Sequence, residues 1–375
     1  MKRYLHEQML EDLHKKIVFV TGPRQVGKTY LAKQIMGGFS KPQYLNYDSV
    51  DDRKIIQKRS WRLNSDLVVF DEIHKMKDWK IYLKGVYDSR DKDQEILVTG
   101  SSRLETYRQS GESLAGRYLH LRLNPISVSE VKGMIEPYSA LERLNTLGGF
   151  PEPFLSDSEE DANRWRNQYY IDLVREDILE FSRINEINTM RMLLELLRFR
   201  VGSPVSYQSL ARDLQVSPNT VKRYIQILES LYIIFLVRPY YRRVSRSILK
   251  EPKLYFYDSG YVKGEEGIRL ENTCAVCLLK FVQYLHDARG KSISLQYIKT
   301  KEGKEIDFVL VIDEIPNMFI EVKLMDSTPA RSLMKFAGLF PETGAIQLVH
   351  NLKKEEHIEG IEIVRAGNWL SELPV

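Results

Sequence analysis

Ile17-Val18-Phe19-Val20-Thr21-Gly22-Pro23-Arg24-Gln25-Val26-Gly27-Lys28-Thr29 decides how the first third of the chain folds. Its first five residues are an unbroken apolar, β-branched run, the pattern of a strand covered on both faces of a parallel sheet. The remaining eight match G-x-x-x-x-G-K-[ST], in which glycines let backbone N–H groups close round phosphate oxygens. The helix that follows adds the positive end of its dipole. On this reading Gly22, Pro23, Arg24, Gln25, Val26 and Gly27 form the cradle and Lys28 reaches the β- and γ-phosphates. The Thr29 hydroxyl takes one magnesium position, and the expected cofactors are ATP and Mg2+.

Outward from this loop, Thr29 to Met36 has helical character and Gly37-Gly38 ends it. Tyr44–Tyr47, Asp66–Phe70, Ile96–Thr99 and Leu119–Leu123 read as further strands, so the fold class expected here is α/β, a P-loop NTPase parallel sheet. The run Leu67-Val68-Val69-Phe70-Asp71-Glu72 ends a buried strand in two carboxylates. Asp71 is placed to hold magnesium through its water shell, and Glu72 to orient and deprotonate the attacking water. Capping a helix is the plainer use of two acids at such a place. The next strand ends Thr99-Gly100-Ser101-Ser102, where Ser101 or Ser102 is the candidate reporter on the γ-phosphate. Arg117, in Leu114-Ala115-Gly116-Arg117, is either an arginine finger or an ordinary surface arginine.

These strings, Thr21 to Thr29, Asp71-Glu72-Ile73-His74, Gly100-Ser101-Ser102 and Gly116-Arg117, resemble the signature of a prokaryotic AAA+ ATPase family. The resemblance continues through Tyr255-Phe256-Tyr257-Asp258-Ser259-Gly260 and Leu270-Glu271-Asn272, so it runs over nearly the whole chain. It implies ATP binding, a three-segment chain with a winged helix in the middle, and a C-terminal domain of uncharacterised function. The boundaries read from punctuation are 1–140 for the ATPase domain, 141–250 for a helical lid and winged-helix region, and 251–375 for the last domain.

In the middle, Val205 to Val237 reads as helix, turn, helix, strand. Ser217-Pro218 is a helix start, and Val221, Ile225, Ile227 and Leu228 line one face. Asn219, Thr220, Lys222 and Arg223 face the other way, as a recognition helix would offer them to a major groove. Arg242, Arg243, Arg246 and Lys250 follow Tyr240-Tyr241, a basic run suited to phosphates. Packing against this chain or a partner protein is the alternative use of the module.

Near the end, Ile306–Val311 and Phe319–Lys323 read as adjacent strands joined by a turn containing Pro316-Asn317. Glu321 and Lys323 lie two apart and share a face, to which Asp307 belongs on the neighbouring strand. The D…E-x-K arrangement resembles the PD-(D/E)XK nuclease core, with Glu271 as an additional acid. That resemblance makes Glu271, Asp307, Glu321 and Lys323 a candidate second metal site. A half-exposed hairpin with alternating charges is the plainer reading.

Bulk composition narrows the classes. The chain has 375 residues, 43% hydrophobic and 28% charged, a net charge of +4, and two cysteines. Two cysteines build no disulfide framework, and Cys274-Ala275-Val276-Cys277 lacks the second pair a structural zinc needs, so both are expected in the core. The N-terminus has no apolar signal core and Leu231–Val237 is too short to span a bilayer, so a cytoplasmic protein with no membrane partner is expected. The candidate partners are DNA, a protein partner and further copies of the chain. ATP turnover driving work on nucleic acid is the first functional expectation. Its rival is a nucleotide-dependent switch whose C-terminal domain docks a partner.

Overall fold

Five parallel strands fold round the phosphate loop. They are β1 (Ile17–Thr21), β2 (Pro42–Asn46), β3 (Leu67–Asp71), β4 (Glu95–Thr99) and β5 (Tyr118–Arg122), in the order β2-β3-β4-β1-β5. Burial follows this order. Every residue of β1 and β3 is buried, as their continuous apolar runs require, whereas the edge strands β2 and β5 are mostly half-buried. Helices α1 (His6–Leu13), α2 (Lys28–Met36), α3 (Val50–Lys58) and α4 (Trp79–Ser89) accompany the sheet. Phe19, Val68, Phe70, Trp79, Leu83 and Val98 share one core cluster.

The computed structural model describes residues 1–62, 64–100, 114–173, 184–241, 251–300 and 302–375, excluding the side chains of 184–186. These divide into two compact units, residues 1–124 with 287–289, and residues 125–286 with 290–375.

The second unit starts with helices: α5 (Pro137–Leu147), α6 (Pro151–Leu155), α7 (Glu159–Leu173), α8 (Ile184–Leu197), α9 (Tyr207–Asp213) and α10 (Pro218–Ser230). Ser217 caps α10 by accepting from the N–H of Thr220 at 3.1 Å, with Pro218 at the first helical position. An antiparallel pair follows, β6 (Ile234–Pro239) and β7 (Lys253–Phe256). Then come α11 (Glu266–Arg289), β8 (Ile293–Lys299), β9 (Glu305–Ile312), β10 (Ile315–Lys323), α12 (Arg331–Leu339) and β11 (Gly344–Val349). Strands β12 (Glu356–Ile358) and β13 (Ile361–Arg365) and helix α13 (Ala366–Ser371) complete the chain.

One eight-stranded mixed sheet runs through this unit, in the order β12-β13-β11-β10-β9-β8-β6-β7. The sequence pattern separates residues 141–250 from 251–375, yet β6 hydrogen-bonds to β7 on one side and to β8 on the other. Strands from both stretches therefore satisfy one another's backbone, and the two stretches share one unit. The turn between β9 and β10 also differs from the expected one. It lies at Asp313-Glu314, both with positive φ (48° and 66°), while Pro316-Asn317 sits inside β10 beside a register shift. Two left-handed residues twist a two-residue hairpin the way its strands twist, which Pro316 at fixed negative φ does not do.

Candidate functional site

The phosphate loop leaves β1 through Gly22, whose φ is 146°; a Cβ there would stand 2.2 Å from the carbonyl oxygen of Leu123. Gly27, at φ 97°, turns the chain into α2. With both turns made, Nζ of Lys28 donates to the carbonyls of Gly22 at 3.0 Å and Pro23 at 2.6 Å. The ammonium is thus held by neutral oxygens of its own loop. The buried guanidinium of Arg3 donates to the carbonyls of Val26 and Asn124, both at 2.6 Å, and so braces the loop against the end of β5.

Asp71 ends β3 directly across from the loop, and three hydroxyls point at its carboxylate. Thr29 donates to Oδ2 at 3.0 Å, Thr99 to Oδ1 at 2.6 Å, and Tyr44 to Oδ2. Burial first, then the bond to Asp71 and its charge, push the Tyr44 phenol well above its ordinary pKa, so it stays a neutral donor. A hydroxyl and a carboxylate 3.0 Å apart at the end of a phosphate loop are a hard-oxygen donor pair that fits Mg2+.

Glu72 follows with φ 57°, a strained conformation for a residue with a side chain, and its N–H donates to the carbonyl of Thr99 at 3.1 Å. Its carboxylate lies 3.6 Å from Nε2 of His74 and 3.6 Å from Nζ of Lys75. Burial raises its pKa, Lys75 and Lys28 oppose the rise, and Asp71 adds to it. That is the direction a proton-accepting group needs.

The sequence-predicted residues from Gly22 to Thr29, with Asp71 and Glu72, are therefore brought together. Ser101, like Ser102, lies outside the described residues. Arg117 is not brought to this place. It immediately precedes β5, whose first residue pairs with the start of β1, and so stands at the sheet end opposite the loop. Five residues at ~3.3 Å each put it roughly 16 Å away along the strand. There its guanidinium grips Asp88 through two contacts, Nε–Oδ1 at 2.8 Å and Nη2–Oδ2 at 3.2 Å. Within one chain Arg117 does not reach the phosphates.

Residues 14–132 match the family model of an AAA domain. This stretch is an AAA-type, ATP-binding P-loop domain. Residues 138–269 match a second model, a domain of unknown function (DUF8612). The uncharacterized protein Rv2008c of Mycobacterium tuberculosis is 29% identical over 261 residues, covering 68% of this chain and 57% of the relative. The chain thus spans little more than half the length of that relative. The uncharacterized protein MJ1637 of Methanocaldococcus jannaschii is 24% identical, over 94% of this chain and 84% of its own. Among solved structures, the Walker-type ATPase PABY2304 of Pyrococcus abyssi superposes with a TM-score of 0.46 at 14% identity, over 70% of this chain and 94% of that one.

The second unit assembles another group of charges. Asp307 lies one step beyond the Ile320–Phe308 pair of the β9–β10 ladder, and its Oδ2 accepts the N–H of Val322 at 3.0 Å. Lys323 donates to Oε1 of Glu321 at 2.7 Å. Glu271, on α11, accepts from the hydroxyl of Tyr255 at 2.7 Å. In the midst of these is a residue that sequence reasoning missed, Lys253, the first residue of β7. Its Nζ lies 2.7 Å from Glu305 and 3.4 Å from both Glu271 and Asp307. Burial opposes its charge, but the three carboxylates outweigh burial and push its pKa up. Burial and then Asp307 push both Glu271 and Glu321 up to about 7.

The strings shared with the resembled family are used in building this frame. The side-chain amide of Asn272 accepts the N–H of Phe256 at 2.8 Å and donates to its carbonyl at 2.9 Å, tying α11 to β7. Asp258 forms a buried pair with Arg166 at 2.7 Å. Cys274 and Cys277 are free and buried in α11. Among the described residues, Glu142, Glu266 and His350 bring ligand atoms within 4.8 Å of one another. Nε2 of His350 meets Glu142, and its buried Nδ1 has no hydrogen-bond partner. A histidine ligating through Nε2 carries its proton on Nδ1, where nothing accepts it, so this group is a hydrogen-bonded histidine.

Proposed function

We propose that this chain is a Mg2+-dependent ATPase whose turnover is coupled to nucleic acid. The observation that carries the reading is the carboxylate of Asp71, held by Thr29 and Thr99, with Glu72 beside it in a strained backbone. Thr29 and Asp71 hold the magnesium, which supplies charge neutralisation on the phosphates. Lys28 exchanges its two loop carbonyls for phosphate oxygens, a stronger, charge-assisted pairing. Glu72 orients the attacking water and takes its proton, aided by the raised pKa that burial gives it.

Several features support coupling to DNA. The exposed side of α10 carries Asn219, Lys222 and Arg223, and α9, α10 and the β6–β7 pair follow one another as in a winged helix. The basic run Arg242, Arg243, Arg246 and Lys250 lies outside the described residues. The order α11-β8-β9-β10-α12-β11, with β8-β9-β10 antiparallel and β11 parallel to β10, supports a PD-(D/E)XK-like frame. A neighbouring copy would supply Arg117 as a finger, which makes a homo-oligomer part of the proposal.

The test is an ATPase assay with and without single- and double-stranded DNA. Wild-type turnover should rise with DNA, and Glu72→Gln should bind ATP while losing about 10²–10⁴-fold in rate. Turnover indifferent to both DNA forms would remove the coupling, and wild-type turnover in Glu72→Gln would remove the base. One observation favours a second reading, a nucleotide-dependent switch whose C-terminal part docks a partner without cutting DNA: the ammonium of Lys253 stands among the acids.

A further inference from the structure

Carboxylates that converge in a protein interior repel one another unless a cation is lodged between them. In the second unit that cation belongs to the chain itself. Nζ of Lys253 is in contact with Glu271, Glu305 and Asp307, its side chain is 1% exposed, and the ring of Tyr297 lies 5.5 Å from it. Oxygens from a helix and a strand arranged round one buried positive charge are the sphere a hard cation takes. Here an ammonium fills it. A divalent ion at the same centre would stand within about 3–4 Å of a like charge, where neither is stable.

Two further observations bear on what the acids do with the ammonium in place. Among the described residues, the carboxylates of Glu271, Asp307 and Glu321 are not a set whose oxygens lie within 4.8 Å of one another. Two of them, Glu271 and Asp307, each lie 3.4 Å from the ammonium, the distance of an ion pair. Second, Glu321 is bound through Oε1 to Lys323, while its Oε2 is buried without a hydrogen-bond partner; the side chain is 8% exposed. A buried carboxylate oxygen with an open acceptor position is an unused ligand.

We propose that the ammonium of Lys253 stands in the place of a divalent cation. As built, the cluster excludes Mg2+ and Mn2+. Once that ammonium is removed, it becomes a divalent-cation site with Glu271, Asp307 and Glu321 as ligands. The second unit then has no metal to cut nucleic acid with, and the acid cluster ties β7, α11, β9 and β10 together instead.

The experiment measures Mn2+ retention by the full chain without nucleotide, from the electron paramagnetic resonance signal of free Mn2+. The proteins are wild type, Glu321→Gln, Lys253→Met and Lys253→Met/Glu321→Gln. Wild type and Glu321→Gln should retain the same Mn2+, if any. Lys253→Met should gain one ion per chain, bound at least about tenfold more tightly than by wild type, and adding Glu321→Gln should abolish that gain. If Lys253→Met does not fold, Lys253→Met/Glu305→Gln removes the ammonium with its nearest carboxylate and keeps the three ligands, and the same gain is expected. Mn2+ bound by wild type and lost in Glu321→Gln would overturn the proposal, as would a folded Lys253 variant that gains none. Ion lost instead in Asp71→Asn belongs to the nucleotide site, and ATP turnover is read in a separate assay, so the two failures are distinguishable.

Discussion

Both units set a lysine beside acids at strand ends, and they use it in opposite ways. In the first, Lys28 is held by two neutral carbonyls of its own loop, while Asp71 is satisfied by hydroxyls and not by the lysine. In the second, Lys253 is buried among three carboxylates. A cation held by carbonyls loses little by turning to a phosphate, because the new partner is charged and the old ones are not. A cation sunk among carboxylates stays, since leaving would strand several buried charges. The same residue types are arranged differently in the two units, the lysine beside loop carbonyls in one and among carboxylates in the other.

Exchanging the roles is the sharpest way to break this comparison. Lys28→Ala should weaken ATP binding by roughly a hundredfold or more, taking about 1.5–3 kcal/mol for each of two charged hydrogen bonds. Its cost to unfolding stability should be smaller than that of removing Lys253, since the two hydrogen bonds it makes to its own loop end on neutral carbonyls. Lys253→Ala should do the reverse, costing about 3–5 kcal/mol of stability with ATP affinity unchanged. Nucleotide titration and denaturant unfolding of both variants read this directly. A Lys28→Ala chain that unfolds early, or a Lys253→Ala chain that no longer binds ATP, would end the contrast.

Arg117 sharpens the picture of the first unit. Its pairing with Asp88 keeps this arginine from the phosphate loop of its own chain. If a neighbouring copy supplies one, Arg117→Ala protein mixed with an equal amount of Lys28→Ala protein should recover about a quarter of wild-type turnover, the share of randomly assembled sites with one intact loop and one intact arginine. No recovery at any ratio would leave Arg117 as a surface ion pair.

The smallest expected effect is one of pH. Three ammonium groups, Lys253, Lys299 and Lys323, face four carboxylates, Glu271, Glu305, Asp307 and Glu321. Burial and Asp307 hold Glu271 and Glu321 up at about 7, so between roughly pH 4.5 and 7 the folded protein keeps a proton that the unfolded chain has lost. Stability from this source is fullest below that window and falls as pH rises through it, by about 1–3 kcal/mol at ~1.4 kcal/mol per pKa unit. Unfolding at pH 5.5 and 7.5 should show the fall, and Glu321→Gln should reduce it. An equal fall in Glu321→Gln would place the proton elsewhere.

Much of the first site is legible in local sequence, because a buried strand, a tight glycine turn and a helix start each leave a short-range pattern. Even Thr99 is visible as the end of the strand next to Asp71, with which it is in register. Tyr44 is less so, since which strand neighbours β3 is a matter of topology. Arg3 is not legible at all. It reaches Asn124 across 121 positions, and nothing near either residue announces the other.

In the second site, two-residue alternation puts Glu321 and Lys323 on one face, and the ladder places Asp307 opposite. Those are short-range facts. Lys253 lies 54 positions from Asp307 and 18 from Glu271, on a strand whose pattern shows only that it is buried. The sequence by itself determined which strands are buried, where the chain turns round phosphate and which acids end their strands, because periodicity and backbone conformation act over a few residues. Tertiary structure alone decided which cation stands among those acids, because charges interact through space and the nearest partner of a buried carboxylate is chosen when distant strands are brought together.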